Sequence, residues 1–298
     1  MAQIYIQGFG IIGCLLAVRL EDLGVPFTWF DSDEKVQAFK ASTGCCYPSG
    51  EAVDKANYER FPAEVLSHPW ISKFTEVANY AFTQKSIPHD APRSGLQVVS
   101  DFNGCKLLNK PSYHINAQEF VAQTRARFAD RNSPVAPQGA FVIHAHGFHA
   151  VRPTTYRWGW HAKAKVTILE PGLILDKRTC FNLKEGRFNS SYLYPVPGSD
   201  EYYLGTHFIF QRKAKDLNME GKAEYILNHI QKVAGSVLEV EVVPGSVVTG
   251  WRPAFEEEGP AYILEGGELF LRPQMANGWR HHLTLMDQVI PEIQRIGI

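Results

Sequence analysis

The hydrophobic pattern of the opening residues predicts a short strand over residues 3–7, a helix over about 11–23 and a second strand over 27–31. Strand, glycine turn, helix and strand follow one another with no room for anything else. Asp33 is placed to cap a further helix reaching Lys40, and residues 41–50 form a loop of small residues suited to close backbone approach. Residues 58–84 read as mostly helical, punctuated by Pro62 and Pro69. A strand at 96–100 leads to the turn Phe102-Asn103-Gly104. Asn116 with Glu119 three residues on is a capping-box start for a helix to about Ala129, and a buried strand at 140–145 is closed by Gly147.

Beyond Val151 the pattern turns to short aromatic and β-branched runs separated by Gly and Pro, at 165–169, 179–183, 191–195 and 202–209. Consecutive strands of this kind predict antiparallel sheet. An amphipathic helix at 220–234 precedes strands at 238–243 and 246–251, and a last helix, over about 282–296, is reached through a loop at 272–280. A strand–helix–strand start, an antiparallel middle and a helical return predict an α/β protein whose first domain is assembled from discontinuous pieces around an inserted second one.

Composition narrows the partners. The 298 residues suit two interleaved domains. A formal charge of -1 with no basic run argues against a nucleic-acid partner, since phosphate contacts need clustered Lys and Arg. The first apolar stretch, 11–20, is too short for a bilayer and is broken by Arg19, and no basic n-region precedes it, so no membrane partner is expected. Five cysteines, Cys14, Cys45, Cys46, Cys105 and Cys180, fit neither a disulfide framework nor a CxxC metal site, which points to a reduced, cytoplasmic protein. A small molecule is the default ligand.

The strongest chemical signal is Gly8-Phe9-Gly10-Ile11-Ile12-Gly13, between the first strand and the first helix. Gly8 allows the tight turn, Gly10 lets backbone amides reach a diphosphate, and Gly13 permits close helix–strand packing while the helix dipole faces the anion. Ala17, Gly24 and an acid, Asp31, at the end of the second strand extend the motif to a dinucleotide-binding unit, the acid standing where it grips a ribose hydroxyl. That acid disfavours NADP, whose 2′-phosphate it repels.

Several later blocks carry a resemblance. The turn is followed by Ala41-Ser42-Thr43-Gly44 and Tyr47-Pro48-Ser49-Gly50, the segment Phe141 to Gly147, and Tyr192-Leu193-Tyr194-Pro195-Val196-Pro197-Gly198 leading into Tyr203-Leu204-Gly205-Thr206. Gly250-Trp251-Arg252-Pro253 and Asn277-Gly278 with Leu283-Thr284-Leu285 come next. In this order they resemble the FAD-dependent D-amino-acid oxidase and glycine oxidase superfamily. The resemblance implies FAD as cofactor and an α/β, Rossmann-like FAD-binding domain built from residues 1–57, 112–150 and 250–298. An antiparallel α+β substrate domain, residues 58–111 and 151–249, would be inserted. Gly8, Gly10, Ile11, Ile12, Gly13, Asp31 and Ser32 would then hold the ADP half. Ser42, Thr43 and Gly44 would line the diphosphate and flavin, Gly147 the adenosine side, and Asn277, Gly278 and Trp279 the flavin-facing loop. Arg252 would fork onto a substrate carboxylate, although a structural ion pair explains an arginine there equally well. Arg280 and His281 would set a cation near the edge of the reduced flavin. The implied activity is oxidation of an amine or amino acid by hydride transfer to flavin. A degenerate FAD- or nucleotide-binding accessory protein and an NAD-dependent dehydrogenase are the alternatives.

The sequence departs from that family at three places. Residues 130–139 do the connecting where family members place an extra strand and a β-meander. Gly278-Trp279-Arg280-His281-His282 puts bulky groups into a loop usually filled with glycines, and Cys45-Cys46 stand where small residues are usual. The two thiols read as buried and inert rather than redox-active. Tyr194 and Tyr202 read as sheet packing, and the histidines, among them His144, His146, His149 and His161, lack a metal-binding frame.

Overall fold

A computed structural model describes residues 3–32, 38–42, 44–46, 52–83, 98–102, 105–147, 156–168, 179–185, 189–195, 202–205, 209–211, 228, 242–255, 261–271 and 278–296. The opening unit forms as its pattern predicts: β1 (Ile4–Gln7), α1 (Ile11–Asp22) and β2 (Phe27–Phe30). α1 carries consecutive buried residues, Gly13 to Val18 and then Leu20, because it is covered on several sides by β1 and by two later helices. Its far end is closed by Gly24 at φ +66°, whose amide donates to the Glu21 carbonyl at 3.0 Å, while Val25 N donates to Leu20 O at 2.9 Å.

The chain continues through a single 3₁₀ turn at Ala38–Ala41, then β3 (Cys45–Cys46), α2 (Ala52–Glu64) and α3 (Pro69–Ser72). β4 (Thr75–Thr83), β5 (Val98–Phe102), β6 (Cys105–Ile115), α4 (Ala117–Arg127) and β7 (Phe141–His144) follow. Next come β8 (Tyr156–Ile168), β9 (Thr179–Glu185), β10 (Asn189–Pro195), β11 (Tyr202–Gly205), β12 (Ile209–Gln211) and β13 (Val242–Phe255). The end is a hairpin, β14 (Tyr262–Glu265) and β15 (Glu268–Leu271), and the helix α5 (Gly278–Arg295).

Two sheets organise these elements. The first has the order β14-β15-β7-β1-β2, with β15, β7, β1 and β2 parallel and β14 antiparallel at the edge. Ile4 stands in register with Phe27 on one side and Phe141 on the other. α1, α2, α4 and α5 share with this sheet a core that includes Ile6, Leu16, Leu20, Phe61, Phe120, Ile143, Leu269 and Val289. At the free edge of β2 the short connection after α4 lies alongside: Asn132 bridges Trp29, Ser133 N donates to Trp29 O at 2.9 Å, and the Trp29 indole donates to Phe128 O at 2.7 Å. Asn132 and Ser133 thus occupy part of the edge that a further strand would otherwise pair. The second sheet is mixed and largely antiparallel: β12-β8-β11-β10-β9-β4-β6-β3, with β13 on β8 and β5 on β6. Among the described pairings in it only β4 with β9 is parallel.

Several expectations need correction. Residues 75–83, read as helix, are β4, because Val77, Tyr80 and Phe82 supply strand-forming side chains and β6 supplies the pairing from Thr75–Ile115 to Thr83–Cys105. The expected boundary at Tyr58 falls inside α2. The helix from Asp33 is, over its described end, one 3₁₀ turn. The strand expected at 246–251 and the described end, 242–243, of the one expected at 238–243 belong to β13, which bulges between Pro244 and Val247, while residues 238–241 lie outside the described residues. α5 begins at Gly278 rather than near His282, so Gly278 to His282 are a helical turn and not a loop. The helix at 220–234 lies outside the described residues except for Asn228. Asn116, by contrast, caps α4 as expected, its side chain accepting from Glu119 N at 3.2 Å.

Candidate functional site

The candidate site lies at the carboxyl ends of β1, β2 and β7, where open parallel sheets bind their ligands. Gly8 leaves β1 at φ +97°, a conformation that other residues rarely take. A Cβ there would sit 2.6 Å from the His146 backbone, so the turn is wedged against the end of β7. Gly13 faces back onto this turn: a Cβ on it would lie 2.1 Å from the Gly8 carbonyl oxygen. Gly10 differs from both. It caps α1 with φ -80° and ψ -160°, and a Cβ on it would have, among the described residues, only Phe39 Cδ1 nearby, at 3.8 Å.

Among the described residues no side chain caps α1, and no acidic residue stands in its first turn. Backbone amides at a helix start carry partial positive charge and want acceptors. With Ile11 and Ile12 half-buried behind a Gly10 whose Cβ side has, among the described residues, only Phe39 in contact range, the turn is a cradle that a side chain would fill and a diphosphate fits. Phe9, between the glycines, is fully buried and stacks on Trp29 with ring centres 4.0 Å apart, which fixes the turn from beneath.

Asp31 follows β2 directly, on the same edge of the sheet. Its Oδ1 accepts from Ser32 N at 3.1 Å, and its Oδ2 is paired with the Arg125 guanidinium from the last turn of α4. Arg125 also donates to the Phe9 carbonyl, from Nε and from Nη2, both at 3.2 Å. Its guanidinium carbon lies 5.6 Å from the Phe39 ring centre. Arg125 therefore ties glycine turn, acid and 3₁₀ turn together, and no sequence pattern announced it. Cys14, one turn into α1, is buried, and burial raises its thiol well above the ordinary range, so it remains a neutral packing group.

The other predicted residues are distributed as follows. Ser42 Oγ accepts from Gly44 N at 3.2 Å, and Gly44, at φ +66°, approaches β6 so closely that a Cβ would meet Ile115 O at 1.7 Å. Gly147 follows β7 at φ +57°, and a Cβ on it would meet none of the described residues within 4 Å. Arg252 lies on β13 opposite Gly159, and β13 contacts the 3₁₀ turn Ala38–Ala41, whose Phe39 faces Gly10. Arg280 and the half-buried His281 lie in the first turn of α5. Thr43 and Asn277 lie outside the described residues, as do the side chains of Arg252 and Arg280.

Trp279 is part of the core, edge-on to Phe120 at 5.0 Å, and its indole nitrogen has no partner among the described residues. Cys46 Sγ donates to its carbonyl at 3.9 Å. His282 is also buried: its Nδ1 lies 2.6 Å from Trp279 O, which fixes a neutral ring with the proton on Nδ1, and burial holds its pKa down to about 4. A cavity of about 210 Å³ bounded by His282, Leu15, Arg19 and Met286 opens between α1, α2 and α5. It adjoins the middle and far end of α1, away from the amides at its start, so it is not the cradle described above. Among the described residues no three His, Cys, Asp or Glu side chains converge on a metal position, and no helix is long and apolar enough to cross a membrane.

No protein-family model matches the chain, and no curated protein matches it in sequence. Solved structures do match it. An iminodiacetate oxidase from Chelativorans sp. BNC1 aligns with TM-score 0.70 and 11% identity over 95% of this chain and 92% of that one. A glycine oxidase from Bacillus cereus aligns with TM-score 0.67 and 15% identity over 98% and 96%. A glycerol-3-phosphate dehydrogenase from Bacillus halodurans, solved in complex with FAD, aligns with TM-score 0.62 and 11% identity over 100% of this chain and 65% of that one. The chain thus has the fold of these oxidases and dehydrogenases, the mixed α/β architecture that the resemblance in its sequence implies.

Proposed function

We propose that this chain binds FAD and oxidises an amine or amino acid. The observation that carries the reading is the uncapped start of α1 behind Gly10, at the carboxyl edge of a parallel sheet in a fold shared with such enzymes. The amides of the turn from Gly10 to Gly13 would hold the diphosphate, Asp31 and Ser32 the ribose, and Gly147 the adenosine side. Ser42, Thr43 and Gly44 would carry the diphosphate towards the flavin. Bound flavin would supply the hydride acceptor, a task that no side chain can perform.

The chain's own contribution is orientation and charge. Arg252, on the strand that contacts the 3₁₀ turn, would fix a substrate carboxylate with its planar fork, and Arg280 or His281 would place positive charge at the ring edge. The first sheet with its helices would form the cofactor domain, centred on residues 1–57, 112–150 and 250–298 and taking in the whole of α2. The greater part of the second sheet would form a largely antiparallel substrate domain within residues 65–111 and 151–249, with β3, the end of β6 and the end of β13 extending beyond those bounds. A second reading, nucleotide binding without turnover, is favoured by two observations: the short run along β2, and the closing of residues 278–282 into a helical turn with Trp279 in the core.

An absorption spectrum with anaerobic addition of amino acids and amines tests both. Flavin bands that bleach support oxidation, flavin bands that no amine bleaches support binding alone, and a protein that takes up NADH but no flavin overturns both in favour of an NAD-dependent enzyme.

A further inference from the structure

We propose that Arg125 is a cofactor-positioning residue that exchanges Asp31 for the diphosphate as a nucleotide binds, so that the ribose acid is released only when a phosphate arrives. The inference rests on the nucleotide reading above and adds a residue and a selection rule to it.

The geometry is specific. The Arg125 guanidinium is anchored twice on the Phe9 carbonyl, the peptide that leads directly into Gly10, and its Nη2 pairs with Asp31 Oδ2. The same Nη2 therefore reaches both the carbonyl that precedes Gly10, beside the amides that face an anion, and the carboxylate oxygen that a ribose hydroxyl needs. The pair is well shielded, the Arg125 side chain being 20% exposed and that of Asp31 9%. Separating such a pair costs more than separating an exposed one, unless another anion takes the guanidinium. A diphosphate at Gly10 to Gly13 is that anion, and Arg125 can turn to it while keeping its hold on Phe9 O. Phosphate oxygens suit a guanidinium as well as a carboxylate does. Without Arg125, moreover, the Asp31 carboxylate and a diphosphate would repel one another across the turn.

The exchange has a signature that a purely structural salt bridge lacks. A nucleoside without phosphate must displace Arg125 from Asp31 and offers nothing in return, whereas ADP or FAD supplies the replacement. Arg125→Met should therefore weaken phosphate-bearing ligands without weakening adenosine.

Calorimetric titration of cofactor-free protein with FAD, ADP and adenosine at several salt concentrations tests this, with thermal unfolding as the check on folding. Wild type should bind ADP far better than adenosine. R125M should weaken ADP and FAD by about tenfold or more, the loss expected for one charge-assisted hydrogen bond, leave adenosine unchanged or tighter, and flatten the salt dependence of ADP binding. Should R125M fail to fold, R125K decides: a point charge keeps part of the ADP affinity but cannot hold Phe9 O and Asp31 together, so the ADP-to-adenosine ratio should drop about threefold or more. Equal losses for ADP and adenosine, or an unchanged ratio, overturn the exchange. Wild type that binds neither FAD nor ADP overturns the nucleotide reading itself, a result distinct from these.

Discussion

Gly10→Ala and Gly13→Ala separate folding from binding at two glycines only three residues apart. At Gly13 the new methyl would lie 2.1 Å from the Gly8 carbonyl oxygen and 3.1 Å from its carbon, both backbone atoms held by β1 and β7. Turn or helix must move by about 1 Å to restore contact distance, and overpacking of this kind costs roughly 1–3 kcal/mol or more. At Gly10 the backbone is in a region open to any residue, and the nearest atom would be Phe39 Cδ1 at 3.8 Å. Alanine there fits, and by restricting the unfolded chain it should leave stability unchanged or raise it by about 0.4–1 kcal/mol. The same methyl would stand where a phosphate must approach to about 2.9 Å of the amides. Loss of one to two charge-assisted hydrogen bonds raises the dissociation constant for FAD by about 100-fold. Urea unfolding of both variants, with flavin-fluorescence titration of Gly10→Ala, measures the contrast. A Gly10→Ala protein that binds FAD as wild type does would refute the cradle, and a Gly13→Ala protein of unchanged stability would refute the packing.

Three further outcomes are expected. His282 is neutral in the folded protein with its pKa held near 4 by burial, while in the unfolded chain it titrates near the ordinary value of about 6.5. The unfolded chain therefore takes up the proton first on acidification. His282's contribution is complete above that ordinary value and is lost as pH falls towards 4, by about 2–3 kcal/mol in all, so His282→Phe should flatten the fall in urea midpoint between pH 7 and pH 4.5. Removing the Asn116 cap with Asn116→Ala should lower stability by about 1 kcal/mol without altering FAD affinity, measured by the same two assays. Arg252→Lys should raise KM for a carboxylate-bearing substrate and leave flavin bound. If KM is unmoved, Arg252 is not the anchor.

What the sequence revealed was local. β1, α1 and β2 could be placed because strand alternation, three glycines and an acid fall within 31 residues, and each signal concerns neighbours in the chain. The cap at Asn116 was visible for the same reason. β4 was misread because Thr75 to Thr83 becomes a strand through its partner β6, a contact that no single stretch of sequence contains. The β14–β15 hairpin was overlooked although it carried a local mark: Gly266 and Gly267, at φ +63° and +81°, form the two-residue turn that such glycine pairs favour. Arg125 had no comparable mark. In a helix's last turn an arginine reads as a complement to the helix dipole, and its pairing with a residue 94 positions earlier arises only from the packing of α4 beside α1. Trp279 and its neighbours were assigned to a loop although Asn277, a residue type favoured at helix starts, directly precedes Gly278, and packing on Phe120 and Phe61 fixes the extra turn.

The central claim is that the glycine turn and Asp31 hold a flavin dinucleotide. Mass spectrometry of the small molecule released when the purified protein is denatured, after incubation with an equimolar mixture of FAD, NAD and NADP and removal of excess ligand, tests it most directly. Stoichiometric FAD with no nicotinamide nucleotide is the predicted result. Release of NAD alone, or of no nucleotide at all, would contradict it.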